Sequence, residues 1–184
     1  MGDDDLGSEY LKAALFEFER LKRQGEKAIA QVDDAALEHR LDPEANSIGI
    51  LVRHLAGNMR SRWTDFLTTD GEKPDRNRDS EFDLAVTQSR AELLATWEAG
   101  WVCVLAALRP LTSADLRARV LIRGEELSSL EAINRQVGHY ATHVGQIVFL
   151  AKHLAGPGWK SLSVPRGQSA AAWTYKSPKA PPGS

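Results

Sequence analysis

The sequence predicts an all-α protein built as a four-helix bundle, and three observations lead there. Four long segments carry apolar residues at spacings of three and four, the period of one helix face. Serines open these segments as N-caps, while Pro110 and Gly156-Pro157-Gly158 close the last two. The connections are uneven, with a long crossover between the second and third helices and a hairpin-like stretch before the fourth.

Ser8 is placed to cap the first helix, whose stripe reads Leu11, Ala14, Leu15, Phe18, Leu21, Ala28, Ile29 and Val32, with polar residues opposite. Ser47 caps the second, with Ile48, Leu51, Val52, Leu55, Met59, Trp63 and Phe66 as its stripe. The crossover follows as TTDGEKPDRNRDSEFDLAVTQ, too long for a tight antiparallel turn. Ser89 and Glu92 form a capping box for the third helix, which carries Leu93, Leu94, Trp97, Trp101, Val104, Leu105 and Leu108 before Pro110 stops it. RARVLIRGEELS alternates around Arg123-Gly124 as a short β-hairpin; two strands alone are marginal, so the hairpin must lie on the helices. Ser128 and Glu131 repeat the capping box for the fourth helix, through Ile133, Val137, Val144, Ile147, Val148, Leu150 and Leu154.

After Gly158 the chain becomes rich in Pro, Gly and Ser but keeps Trp159, Trp173 and Tyr175. The first part of this irregular tail is expected to dock and its last ten or so residues to be loose. It is expected to cover the metal cleft described below or to embrace a partner subunit. Residues 1–184 thus read as one domain, a helical core over about 8–156 followed by a loop-rich tail over 157–184. The stripe positions of Trp63, Trp97 and Trp101 assign them to the core or a dimer interface.

Composition narrows the function classes. Charged residues make up 26% of the chain with a formal net charge of -2, and the basic stretches are short, so no nucleic-acid partner is expected. Cys103 is the one cysteine, set among Val102, Val104 and Leu105; this suits a reducing compartment and an inert thiol rather than a nucleophile. MGDDDLG has no apolar leader region, Leu6 stands where a myristoylation signal wants Ser or Thr, and no run of about 18 apolar residues appears. A cytoplasmic protein without membrane partners is the expectation.

The chemistry lies in VGHYATHVGQ, residues 137–146, which puts His139 and His143 one helical turn apart. Side chains four residues apart share a helix face with Cβ atoms about 6 Å apart, within reach of one metal ion. The interval holds Tyr140, Ala141 and Thr142, so the glutamate of HExxH metalloproteases is missing. A third ligand must come from elsewhere; without one, the pair reads as one core-edge and one solvent-facing histidine. His153 lies about 15 Å further along the same helix, where a cation suits the C-terminus. His39 sits in the HRLDPE turn, a place for an exposed polar residue. His54 is on the shoulder of the second helix beside Leu51 and Leu55, where it can look into the cleft towards the fourth.

VRHLAGNMRSRWTDFL at 52–67 and NRQVGHYATHVGQIVFLAKHL at 134–154, with NRD at 77–79 and WKSLSVP at 159–165, resemble an uncharacterised bacterial branch of the DinB/YfiT-like superfamily. The resemblance covers nearly the whole chain. One histidine in the second helix followed by HxxxH in the fourth is that superfamily's metal signature, and it falls here on His54, His139 and His143. It implies a four-helix bundle with the long crossover, commonly a homodimer, binding a divalent ion such as Zn or Ni. Relatives include metal-dependent hydrolases and enzymes that use low-molecular-weight thiols.

Three functions fit this site. The first is a metalloenzyme that transfers a low-molecular-weight thiol onto a small-molecule substrate, and the second is hydrolysis by metal-bound hydroxide. The third is a non-catalytic metal-binding stress protein. Asn58 and Gln136 are candidates to orient ligands or water, Arg62 to bind an anionic group, and Tyr140 and Gln146 to assist. No carboxylate is placed by the sequence as a general base.

Overall fold

The computed structural model describes residues 6–168. Its elements are α1 (Leu6–Ile29), a short α2 (Asp34–Leu37), α3 (Ile48–Trp63), α4 (Arg90–Leu108), β1 (Arg119–Ile122), β2 (Glu125–Ser128) and α5 (Ser129–Ala155), with 3₁₀ turns at Asp79–Phe82, Ser113–Arg117 and Gly156–Gly158. The protein is all-α, a bundle of four long helices with one small antiparallel hairpin.

Local chemistry fixes most boundaries. Ser47 accepts a hydrogen bond from the Ile50 backbone at the start of α3. Ser89 with Glu92 and Ser128 with Glu131 form reciprocal capping boxes at α4 and α5, each satisfying backbone N–H groups that the first helical turn leaves without partners. Gly156, with φ of +53°, ends α5 in a conformation open to glycine. Arg123 and Gly124 both take positive φ, 58° and 74°, which is the type I′ turn that matches the twist of a two-residue hairpin.

Several expectations are corrected. Ser8 lies inside the first turns of α1, which begins at Leu6, so it is not the cap. Val32 falls beyond the end of α1, and Phe66 beyond α3, where Thr64 ends the helix and Asp65 turns with φ of +49°. Both still pack: Val32 is buried and Phe66 is half-buried against the core and the hairpin. The turn Asp34–Leu37, capped by Asp33, has no counterpart in the expected helices. By length and composition α4 qualifies as a membrane-crossing helix, although Glu92 and Glu98 interrupt its apolar sequence well short of a run of about 18 residues. In the bundle it directs Leu93, Trp97, Trp101, Val104 and Leu108 into the core.

The centre of the core joins all four long helices through aromatic rings. Phe18 of α1 meets Trp63 of α3 edge to face at 5.6 Å, and also touches Trp101 of α4 and Tyr140 of α5. The three tryptophans of the helical stripes are thus core residues. Gly100 lets α4 approach α3: a Cβ there would lie 2.9 Å from the Ala56 Cα. Cys103 is half-buried at the edge of this core. The hairpin lies on the bundle as expected, burying Val120 and Ile122 against Ala132, Phe66 and Leu67. Trp159 and Leu162 pack on the core, and Lys160 exchanges backbone hydrogen bonds with the Gln31 side chain past α1, so the described tail docks there. Trp173 and Tyr175 lie outside the described residues.

Candidate metal centre

The cleft between α3 and α5 holds His54, His139 and His143. His54 projects from the middle of α3 and is buried; His139 and His143 project from consecutive turns of α5 and are half-buried. One ring nitrogen from each lies within 4.8 Å of the others. The ring centroids are 4.6 to 5.4 Å apart, and each pair of rings stands nearly perpendicular, at 79° to 88°.

Their hydrogen bonds decide which nitrogens are free. His54 Nδ1 is 2.8 Å from Glu81 Oε2, and a carboxylate can only accept, so Nδ1 is the donor and Nε2 is the nitrogen left to face a metal. His143 Nδ1 likewise donates to Gln146 Oε1 at 2.8 Å. His139 Nε2 is buried with no hydrogen-bond partner among the described residues, an arrangement native interiors avoid unless something else satisfies the atom. Three imidazoles, each with Nε2 unengaged by the described residues, are a donor set that suits a divalent ion.

Burial favours the neutral form of His139 and His143. Burial, reinforced by His143, His54, Arg62 and Arg76, pulls His139 down to about 3. Burial also lowers His143, against its bond to Gln146. Burial pushes the Glu81 carboxyl up, but the bonds from His54 and Arg76 outweigh it and hold Glu81 below the usual carboxylate range.

Glu81 reaches His54 from the 3₁₀ turn Asp79–Phe82, which Asn77 starts by accepting the Ser80 backbone N–H at 3.2 Å. Arg76 donates to both Glu81 oxygens, at 2.8 and 3.0 Å, and lies 3.6 Å from Glu72. The Phe82 ring lies 4.8 Å from the His54 ring, and the Arg78 guanidinium lies over the Phe82 ring, 5.0 Å from its centroid.

The other sequence candidates are placed as follows. Trp63 Nε1 donates to the Tyr140 hydroxyl at 2.8 Å, and Tyr140 donates to Asn58 Oδ1 at 3.1 Å, a chain buried between α3 and α5. Burial raises the Tyr140 phenol. Arg62 is buried, bonded to the Gly71 carbonyl and to Glu72 at 3.0 Å, so it ties the crossover to α3. Gln136 is buried with Oε1 unpaired. His39 and His153 are exposed and stand apart from the histidine group.

Glu81 and Arg76 are the contacts that sequence reasoning missed. The irregular crossover has no period to mark them. The one available signal was Gly57, three residues after His54 inside α3, since a gap in a helix face invites another group to enter. A Cβ at Gly57 would overlap Glu81 Oε1.

Fold and site together define an α-helical bundle protein with a three-histidine group able to hold a metal ion. Residues 5–168 match the family described as "Protein of unknown function (DUF1572)", and the chain belongs to that family. No curated protein matches the chain.

Proposed function

We propose that this protein is a metal-dependent enzyme that transfers a low-molecular-weight thiol onto a small electrophilic molecule at the His54/His139/His143 site. The observation that carries the metal is the buried, unpartnered Nε2 of His139 beside two imidazoles whose Nδ1 atoms are already engaged. The likeness of the His54 and HxxxH motifs to the DinB/YfiT-like superfamily supports the same ligand set, and an all-imidazole set suits Zn or Ni.

A divalent ion bound there supplies a 2+ charge that acidifies a thiol or water brought to it. The residues themselves favour the thiol. Glu81, the carboxylate touching the ligands, is committed to His54 and Arg76 and is not free to take a substrate proton. A thiol, with an ordinary pKa of about 8.5, needs far less help than water, at about 15.7. It loses its proton to solvent, its sulfur forms the new C–S bond, and the leaving group departs with its electron pair. His139 and His143 are half-buried, so the group sits at the edge of the bundle rather than sealed at its centre, which favours turnover over a purely structural metal. The reading includes a homodimer in a reducing compartment; Cys103 is a free thiol, and Leu94 and Val102 are exposed on the outer side of α4.

The test follows consumption of an electrophilic chromophore by metal-loaded protein with and without a cysteine-derived thiol. Thiol-dependent turnover that is lost in His139→Ala is expected. Thiol-independent turnover makes the protein a hydrolase, and metal binding without any turnover makes it a non-catalytic metal protein.

A further inference from the structure

Resting on the reading that the three histidines bind a divalent ion, we propose that Glu81, held by Arg76, is a positioning residue for His54, so that the 3₁₀ turn of the crossover belongs to the metal centre. His54 and Glu81 meet at 2.8 Å with side chains only 5% and 9% exposed, so water competes little for this charge-assisted bond. Arg76, 3% exposed, donates to both Glu81 oxygens and is backed by Glu72 at 3.6 Å. The carboxylate is therefore fixed in orientation as well as charge, and the His54 ring is fixed through it.

The fold makes room for this contact. Gly57 stands one turn after His54 on α3, and any side chain there would occupy the place of Glu81 Oε1. Glycine weakens a helix interior, so its presence where Glu81 enters is accounted for by the contact.

The three ligands are held unequally. His54 has an anionic partner from a distant segment, whereas His143 has an amide three residues away on its own helix, on exposed Gln146. A carboxylate behind a ligating imidazole fixes its tautomer and strengthens it as a donor. His54 is thus the anchor of the set. Because binding couplings are reciprocal, an ion on His54 also steadies the crossover from Glu72 to Phe82.

The test uses three variants of the full chain: Glu81→Gln, which keeps size and removes charge; Gly57→Ala, which alters no charged group and displaces Glu81; and His54→Ala as reference. Zn²⁺ affinity is measured by competition with a chromophoric chelator, and the visible spectrum of the Co²⁺-loaded protein reports ligand geometry. Glu81→Gln and Gly57→Ala are expected to weaken zinc by about 10–100-fold and to shift the Co²⁺ bands, with helical circular dichroism retained. A buried ion pair with only a structural role would leave the Co²⁺ bands alone. Affinities within twofold of wild type together with superimposable Co²⁺ spectra overturn the proposal while the metal reading stands. A wild-type protein that binds neither ion overturns the metal reading, and this proposal with it. Should Glu81→Gln fail to fold, Gly57→Ala decides.

Discussion

Replacing Tyr140 by Phe isolates the polar chain that runs through the core behind the histidines. The Tyr140 hydroxyl accepts from Trp63 Nε1 at 2.8 Å and donates to Asn58 Oδ1 at 3.1 Å. Tyr140→Phe keeps the ring and its contacts with Phe18 at 5.7 Å and Trp101 at 5.8 Å, so no large cavity is made. What changes is that the Trp63 N–H and the Asn58 carbonyl are both left in the interior without their partner. Each such orphan costs about 1–3 kcal/mol, and the hydroxyl no longer has to be dehydrated, so a net loss of roughly 2–3 kcal/mol is expected. Urea unfolding of the metal-free protein measures it as a fall in midpoint at unchanged slope. Because the hydroxyl is buried and doubly engaged, zinc affinity should stay near wild type. A variant within about 0.5 kcal/mol of wild type would mean that neither polar group is left orphaned in the core, and normal stability with lost turnover would return Tyr140 to the chemistry.

Metal-free protein should lose stability in acid through His139. The unfolded histidine takes its proton below about 6.5, the folded one only near 3, so the unfolded state binds more protons across that window and stability falls as pH drops through it. A fully shielded group would give about 1.4 kcal/mol per pH unit; for a half-buried one roughly half of that is expected. Urea midpoints from pH 7.5 to 5 should show a slope that flattens in His139→Gln, and an unchanged slope contradicts the assignment. Ser128→Ala breaks the capping box at the start of α5, the helix that carries two of the three histidines, and should cost about 1 kcal/mol by the same assay. Saturating zinc at about 100 times its dissociation constant should raise the unfolding free energy of wild type by about 2.7 kcal/mol and that of His54→Ala by much less.

Features set by neighbours in the chain were legible in the sequence. Ser47, Ser89 with Glu92, and Ser128 with Glu131 act within one turn, and Arg123-Gly124 within one hairpin, so their residue types announced them. The spacing of His139 and His143 and the shoulder position of His54 carried the histidine group for the same reason: helical periodicity fixes which residues share a face. Where the local signal competed with packing, it failed. Ser8 looks like a cap, yet α1 starts before it; Phe66 continues the stripe of α3, yet the chain turns at Asp65 and packs Phe66 against the hairpin as well. Glu81 and Arg76 depend on contacts across a crossover with no period of its own, Glu81 meeting a histidine 27 residues earlier, and nothing adjacent to them in the chain encodes that meeting.

Whether His54, His139 and His143 together hold one divalent ion is decided by metal analysis of the purified protein beside His54→Ala and His139→Ala. About one zinc or nickel per chain is expected in wild type, with near-background metal in both variants. Undiminished metal in either variant contradicts it, and metal kept by His54→Ala but lost in His39→Ala would move the third ligand to the turn before α3.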